Sequence, residues 1–261
     1  MHWVIDHIIS EGNALERLII ALNEAGSPCT LVKKPPFADY IVNADQSDAP
    51  LDLKIEGPVF VNGSTGMQSI SERYGWSPGY IDAPDLEECL AHWGEHMLND
   101  DLYAGPIGTI RPPETPFFIR PVGDGKAFAG TVMNPAEFDL WRNRLLSRDG
   151  YTTLAPETPV AIASLKDIHC EYRCLIVDGE LITASRYKIG RRVSCHPGLP
   201  DETAAFVQAR VKQWVPRRAF ILDVAETDRG IRIVENNSVS SAGFYAMDMD
   251  RYVAAINRLA D

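Results

Sequence analysis

The chain has 261 residues, 45% of them hydrophobic and 23% charged, which is the make-up of a soluble globular protein able to bury a sizeable core in one large domain or two to three lobes. A formal net charge of −11 excludes a surface-wide field for nucleic acid or an anionic membrane, although a local basic groove is compatible with it. No apolar run reaches transmembrane length and the N-terminus lacks the basic start and apolar centre of a signal peptide, so no membrane is expected. Five cysteines, an odd number at irregular spacing, fit reduced thiols and a cytoplasmic setting.

In chain order, WVID (3–6) reads as a strand and GNALERLIIALNEAG (12–26) as an amphipathic helix closed by Gly26. Short apolar runs follow at 29–32, 39–43 and 58–64, so strands alternate with helix as in an α/β layer. DAPDLEECLAHWGEHML (82–98) is a second helix with Asp82 or Asp85 as its cap. The Pro- and Gly-rich stretch 102–116 reads as a linker or irregular edge. Beyond it the pattern changes to strand pairs. FFIRPV (117–122) and KAFAGTVM (126–133) flank a GDG turn, and a helix occupies 134–150. Strands at 158–165, 171–179 and 180–188 come next, the last two joined at Asp178-Gly179. A helix at 201–214 precedes a final hairpin, AFILDVAE (219–226) and GIRIVEN (230–236), turning at Asp228-Arg229; a closing helix spans 248–261. An N-terminal α/β lobe therefore precedes an α+β half of antiparallel strands, with the boundary near 100–115.

Several short motifs carry little. HWGEH (92–96) spells a zinc-peptidase signature, but Gly94 weakens the helix that the two histidines need, and a third ligand and a shaped cleft are also required. Lys54 and Glu56 in KIEG fit a surface strand. GDGK (123–126) lacks the spacing and following helix of a Walker loop, yet it sets a glycine turn and Lys126 beside Arg120, an arrangement that can lie over polyphosphate. Cys170 and Cys174, four apart on a strand, read as core or thiol filler.

The carboxylates at the end of the chain say more. Asp223 sits inside the apolar strand FILDVAE, where a carboxylate is either paired or functional. On the partner strand, alternation puts Glu235 and Asn237 on one face, with Asn236 pointing the other way. The tight turn at 228–229 brings Asp223 opposite the end of that strand. Three hard oxygen donors then converge, a set that suits Mg²⁺ holding nucleotide phosphates as well as it suits a surface polar cluster.

Asp223 followed by E-x-N at 235–237 resembles the metal-binding strand pair of the ATP-grasp superfamily. EYRCLIVDGELITASRYK (171–188) is similar to the segment of its amino-acid ligase branches that runs acidic-x-Arg, apolar strand, turn, apolar strand, basic. FFIRPVGDGKAFAG (117–130) resembles the phosphate-binding hairpin, with Arg120 where most members carry lysine, as in a bacterial and phage clade of the superfamily. The resemblance covers roughly residues 100–245 in the right order. It implies an α/β (α+β) ATP-grasp fold: an N-terminal α/β lobe (1–100), then a central (101–160) and a C-terminal (161–261) subdomain that clasp ATP.

It also implies roles. Arg120 and Lys126 would contact the nucleotide phosphates, Ser164-Leu165-Lys166 would form the adenine hinge and Glu171 would bind ribose. Arg173, Arg186 and Lys188 would face one groove as the catalytic cations for phosphate or acyl phosphate. Asp223, Glu235 and Asn237 would hold one or two Mg²⁺. The implied activity is an ADP-forming carboxylate–amine (or thiol) ligase acting through an acyl phosphate, on a small carboxylic acid, amino acid or peptide, with a homodimer left open. A small-molecule kinase and a non-catalytic ATP-binding regulatory protein are the alternatives on the same fold. The segment SVSSAG (238–243) is where the acid would approach.

Overall fold

A computed structural model of the chain describes residues 1–7, 13–45, 49–122, 128–147 and 154–260. The chain divides into two compact units, residues 1–84 with 168–261, and residues 85–167. Among the described residues no helix is long and apolar enough to cross a membrane.

The first unit holds two five-stranded sheets. β1 (His2–Asp6), α1 (Ala14–Glu24), β2 (Cys29–Lys33), β3 (Val42–Asn43), β4 (Val59–Asn62), α2 (Met67–Tyr74) and β5 (Pro78–Gly79) build the first, in the order β3-β2-β1-β4-β5. All of its pairings are parallel except that of edge strand β3. Four consecutive buried residues in β1 and in β4 are what a strand covered on both faces requires. Helix α2 was not expected. Met67, Ile70 and Ser71 are its buried residues, spaced as one helical face.

The second unit runs from α3 (Leu86–Trp93) through β6 (Tyr103–Pro106), β7 (Phe117–Pro121), β8 (Thr131–Met133) and α4 (Pro135–Leu146) to β9 (Pro159–Ser164). α3 is shorter than the expected helix because Gly94 leaves helical geometry at φ +46, while Asp85 and Glu88 close its start as a capping box. Its sheet order is β6-β9-β7-β8. β6 lies in the stretch read as a linker; its Gly and Pro hide a strand that pairs antiparallel with β9. Phe117, Ile119, Val160 and Ile162 pack on Phe138 of α4, which meets Phe117 edge-on at 5.7 Å. Phe117 pairs with Met133, so β7 and β8 form the expected hairpin; the GDG turn itself lies outside the described residues.

Back in the first unit come β10 (Ile168–Val177), β11 (Glu180–Ile189), β12 (Arg192–Pro197), α5 (Asp201–Gln213), β13 (Ala219–Thr227), β14 (Gly230–Asn237) and α6 (Met249–Asn257). The sheet is wholly antiparallel, in the order β12-β11-β10-β13-β14. Val177 pairs with Glu180 across Asp178 (φ +47) and Gly179 (φ +81), the two left-handed residues of a tight hairpin turn. Edge strand β12 is an addition to the expected elements, since RVSCHP shows no apolar alternation.

One core joins the two sheets of this unit. Trp3, Phe60, Leu18 and Leu22 from the parallel side share it with Leu175, Ile221, Tyr252, Val253 and Ile256. Trp3 stands edge-on to Phe60 at 4.7 Å, and its indole N–H donates to Asn257 Oδ1 at 2.9 Å. The segment after β14 is clasped from the parallel side: Ser240 accepts from Gly63 N (2.7 Å) and Asn62 Nδ2 (3.1 Å) at its carbonyl and from Ile81 N (3.0 Å) at its hydroxyl, and Ser238 Oγ donates to Ile81 O (2.7 Å).

Trp3 is fully buried and sits where both sheets meet, so Trp3→Ala should lower the unfolding free energy by about 3–5 kcal/mol in urea titrations. Trp3→Phe keeps most of the packing but loses the Asn257 hydrogen bond, and should cost roughly 1 kcal/mol for that bond. Equal costs for the two variants would mean that the indole N–H, not the apolar volume, ties the sheets together.

Candidate active site

The register of β13 and β14 places the carboxylates. Asp223 pairs directly with Glu235 and Ile221 with Asn237, and the pairing shifts by one residue between Asp223 and Val224, where β14 carries an extra residue. Glu235 and Asn237 consequently sit beside Asp223 on one face. The Asn237 amide donates to Asp223 Oδ2 at 3.2 Å and to Glu235 Oε1 at 3.0 Å. A positive N–H dipole thus bridges two carboxylates. Turning that amide would present its oxygen with theirs, giving a set of hard oxygens of the kind Mg²⁺ prefers. By donor chemistry the residues fit the ion. Asn236, on the other face opposite Leu222, buries both polar atoms of its amide without a hydrogen-bond partner among the described residues.

Arg173 on β10, opposite Asp223 in register, grips the carboxylate with two bonds, Nε to Oδ1 at 2.9 Å and NH2 to Oδ2 at 2.7 Å. The side chains are 11% and 1% exposed, so this is a buried bidentate pair. Its remaining terminal nitrogen donates to Gly243 O at 3.2 Å. The guanidinium also lies over the rings of Tyr187 (5.6 Å) and Tyr245 (4.9 Å), which stack on each other at 4.8 Å. Burial pushes the Asp223 carboxyl up to about 6, with the Arg173 charge pulling it back and Glu235 and Glu171 adding to the rise. Burial works against the charge of Arg173 too, but the Asp223 anion overrides it and holds the guanidinium above its ordinary range.

Glu171, two residues before Arg173 and on the same face, accepts from Lys188 Nζ at 2.5 Å and from Tyr187 Oη at 2.7 Å. Burial, with Asp223 and Glu171 close by, raises the Tyr187 phenol, so it stays a donor. Arg186 does not join this group. It pairs with Tyr172, on the face away from Arg173, and its NH2 donates to Ser194 Oγ at 3.3 Å. Strict alternation would have put Arg186 and Lys188 together; the register shifts around Tyr187 break that alternation, so that Lys188 stays opposite Glu171, Arg186 falls opposite Tyr172, and Tyr187 lies against Arg173.

The second unit carries the other expected residues. Arg120 stands on β7 opposite Ala161 of β9, on the face of Phe118, while Ile119 points into the core. Lys126 lies outside the described residues. At the end of β9, Lys166 spends all three ammonium protons: on Asp101 Oδ1 (2.8 Å), Ser164 O (3.0 Å) and Ser164 Oγ (2.6 Å). Asp101 Oδ2 also takes the main-chain N–H of Ser164 at 3.1 Å. Burial works against the Asp101 charge, but Lys166 and Ser164 hold its carboxyl below the ordinary value. Leu165 between them is exposed.

Sequence reasoning passed over Tyr187, Tyr245, Asp101 and Arg17. Tyr187 could have been found from its place between two cations on a strand. Arg17, which donates to the carbonyls of Tyr245 and Met247 at 2.5 Å each, has no local signal, because its partners lie more than 220 residues away.

Residues 101–255 match the model of the ATP-grasp domain, R-to-K clade family 2. No curated protein matches the chain. Among solved structures the chain is similar to D-cycloserine synthetase DcsG (TM-score 0.59, 12% identity, 99% of each chain covered). It is similar also to an ATP-grasp RimK domain protein from Sphaerobacter thermophilus DSM 20745 (TM-score 0.61, 12% identity, 100% of this chain and 96% of that one). The ATP-grasp ligase PsnB, solved with a minimal precursor, gives TM-score 0.53 and 15% identity over 100% and 99% of the two chains. At such identities these likenesses speak for the fold. The family model spans more than half of the chain, and in it lie Arg120, the β10–β11 pair and the Asp223/Glu235/Asn237 cluster in order, so the chain belongs to the ATP-grasp superfamily, in its R-to-K clade.

Proposed function

We propose that the chain is an ATP- and Mg²⁺-dependent ligase that joins a carboxylic acid to an amine or a thiol and releases ADP. The observation that carries this reading is the convergence of Asp223, Glu235 and Asn237 beside the Arg173 guanidinium. On this reading the chain works as an N-terminal lobe (1–100) with a central (101–160) and a C-terminal (161–261) ATP-grasp subdomain.

A carboxylate is a poor acylating agent at neutral pH. Transfer of the γ-phosphoryl group of ATP to its oxygen gives an acyl phosphate and ADP. The amine then attacks the acyl carbon, phosphate leaves with the C–O bonding pair, and a proton is lost from nitrogen. Such transfer asks chiefly for positioning and charge neutralisation. Bound Mg²⁺ would neutralise phosphate oxygens, held by Asp223, Glu235 and Asn237. Arg173 and Lys188 are the cations for the transferred group, Arg120 and Lys126 bind the nucleotide phosphates, Glu171 the ribose, and Ser164-Leu165-Lys166 the base. Arg173 is the best preorganised of these, since Asp223, Gly243 and two aromatic rings fix its plane.

ATP, Mg²⁺, a panel of carboxylic acids and an amine should yield ADP and phosphate in equal amounts; exclusive AMP and pyrophosphate would refute the reading. Asp223→Asn and Glu235→Gln should each lower kcat by at least about 10²-fold, since each removes an anion from the site where phosphoryl charge is managed. Wild-type rates from either variant would remove the cluster from the chemistry.

The raised carboxyl of Asp223 has two opposite consequences with pH. Its folded value, about 6, exceeds its ordinary 3.8, so the stability this group contributes is full below 3.8 and is lost as pH rises through about 6. The anion that would ligate Mg²⁺ appears over the same rise. Wild type minus Asp223→Asn should therefore lose unfolding free energy between pH 4 and about 7 while Mg²⁺ affinity, followed by calorimetry, climbs. A flat difference across that window would place the Asp223 proton elsewhere.

A further inference from the structure

The first unit contains a cavity of about 580 Å³ that the nucleotide residues above, Arg173 apart, do not line. Its position follows from the parallel sheet. From β1 the chain crosses through α1 to β2 on one side and later returns to β4 on the other, so the strand order reverses between β1 and β4. Open parallel sheets bind ligands at such a switch point, outside the carboxyl ends of the strands. Asn62, the last residue of β4, lines the cavity together with the first turns of α1. The opposite wall is the 241–245 segment, clasped to the parallel side through Ser238 and Ser240.

Two guanidiniums line it, Arg17 and Arg173. A guanidinium has five N–H donors. Arg17 spends two on the carbonyls of Tyr245 and Met247, and Arg173 spends three on Asp223 and Gly243, so among the described residues both keep donors while being held in place. The start of α1 adds the partial positive charge of a helix N-terminus. Leu15, Leu18 and Phe244 give the rest of the lining an apolar character. Fixed cations at one place and an apolar wall at another select an anionic head on an apolar body. The volume lies within the roughly 300–1,000 Å³ of small-molecule sites.

We propose that this cavity binds a free carboxylic acid with an apolar body of amino-acid to dipeptide size, its carboxylate taken by Arg17 and Arg173. That this acid is the one activated rests on the ligase reading. Arg17 becomes the specificity-determining residue, and the serines of SVSSAG become the clasp that holds the wall, with Ser241, Ala242 and Gly243 facing the ligand.

Cys195, exposed on β12 and also lining the cavity, is a built-in reporter. On the whole chain without ATP, hexanoate, 3-phenylpropionate or N-acetylleucine should slow iodoacetamide labelling of Cys195, followed by peptide mass spectrometry, while phenethylamine of matching size should not. A peptide ending in phenylalanine presents the same carboxylate from another source and should protect at concentrations at least about tenfold higher, because its chain must leave the cavity. Arg17→Met should weaken protection by at least about tenfold, the loss of a charge-assisted contact, yet keep the thermal shift given by MgATP. Leu15→Trp, which fills the space and leaves both guanidiniums, should also abolish protection. No protection by any of the acids, equal protection by the amine, protection by the peptide matching that of the free acids, or full protection in Arg17→Met would each overturn the proposal, even where MgATP still binds and is turned over. Protection by an acid without ADP formation would instead leave the cavity assigned and sink the ligase reading.

Discussion

The buried ion pair between Arg173 and Asp223 is the constraint on which the candidate site is built. Two charges with side chains 11% and 1% exposed have lost most of their hydration, a penalty of several kcal/mol per ion that only close geometry offsets. Here both bonds of the fork are made and the outer side of the guanidinium meets a carbonyl and two aromatic faces. A carboxylate offers about four lone-pair positions. Arg173 occupies two of those on Asp223 and the Asn237 amide a third. An incoming cation therefore competes with Asn237, not with Arg173. The arrangement can exchange a dipole for an ion without unmaking the pair that fixes the strands.

The same pair explains why the segment after β14 is held so firmly. Tyr245 has a left-handed backbone, φ +48, which a side chain with Cβ adopts at a cost of order 1–2 kcal/mol. Its ring stacks on Tyr187 and covers Arg173, and its carbonyl accepts from Arg17, so the strained residue is fixed from both sides. Ser238 and Ser240 fasten the start of the segment to Ile81, Asn62 and Gly63, and Tyr252 Oη donates to Val239 O at 3.1 Å. Helix α1 is thereby linked to the Asp223 cluster through a chain of contacts: Arg17, Tyr245, Arg173, Asp223.

What the sequence revealed and what it hid divides along the range of the interactions. Asp223 could be set opposite the end of β14 because a two-residue turn at 228–229 fixes the register beside it, although counting from that turn reaches Val234, and the one-residue bulge that brings Glu235 opposite Asp223 was not legible. The Asp178-Gly179 hairpin was legible from its own two-residue turn in the same way. β6 and β12 were not, because Gly, Pro and scattered polar residues give an edge strand no apolar period to read. Arg186 was grouped with Arg173 and Lys188 by the resemblance alone, and the irregularity at Tyr187 that puts it opposite Tyr172 leaves no trace in composition. Asp101 and Arg17 act across 63 and about 230 residues respectively, distances at which a single sequence carries no signal of contact.

Charge compensation then separates the cations of the first unit into two kinds. Lys188 is paired with Glu171 and Arg173 with Asp223, so an anion approaching either meets a charge that a carboxylate partly offsets, and what Arg173 still offers is its two remaining N–H donors. Arg17 is different: its described partners are the neutral carbonyls of Tyr245 and Met247, which orient the guanidinium and leave its charge uncancelled. In a chain of net charge −11, such a cation on a cavity wall would, on the proposed reading, let an acid enter against the overall field. On the ligase reading Arg173 would still offer its two remaining N–H donors to the transferred group while Asp223 and Gly243 hold it in place. On that reading Arg17 would select the acid and Arg173 would meet both its carboxylate and the transferred group, the two arginines being joined through Tyr245.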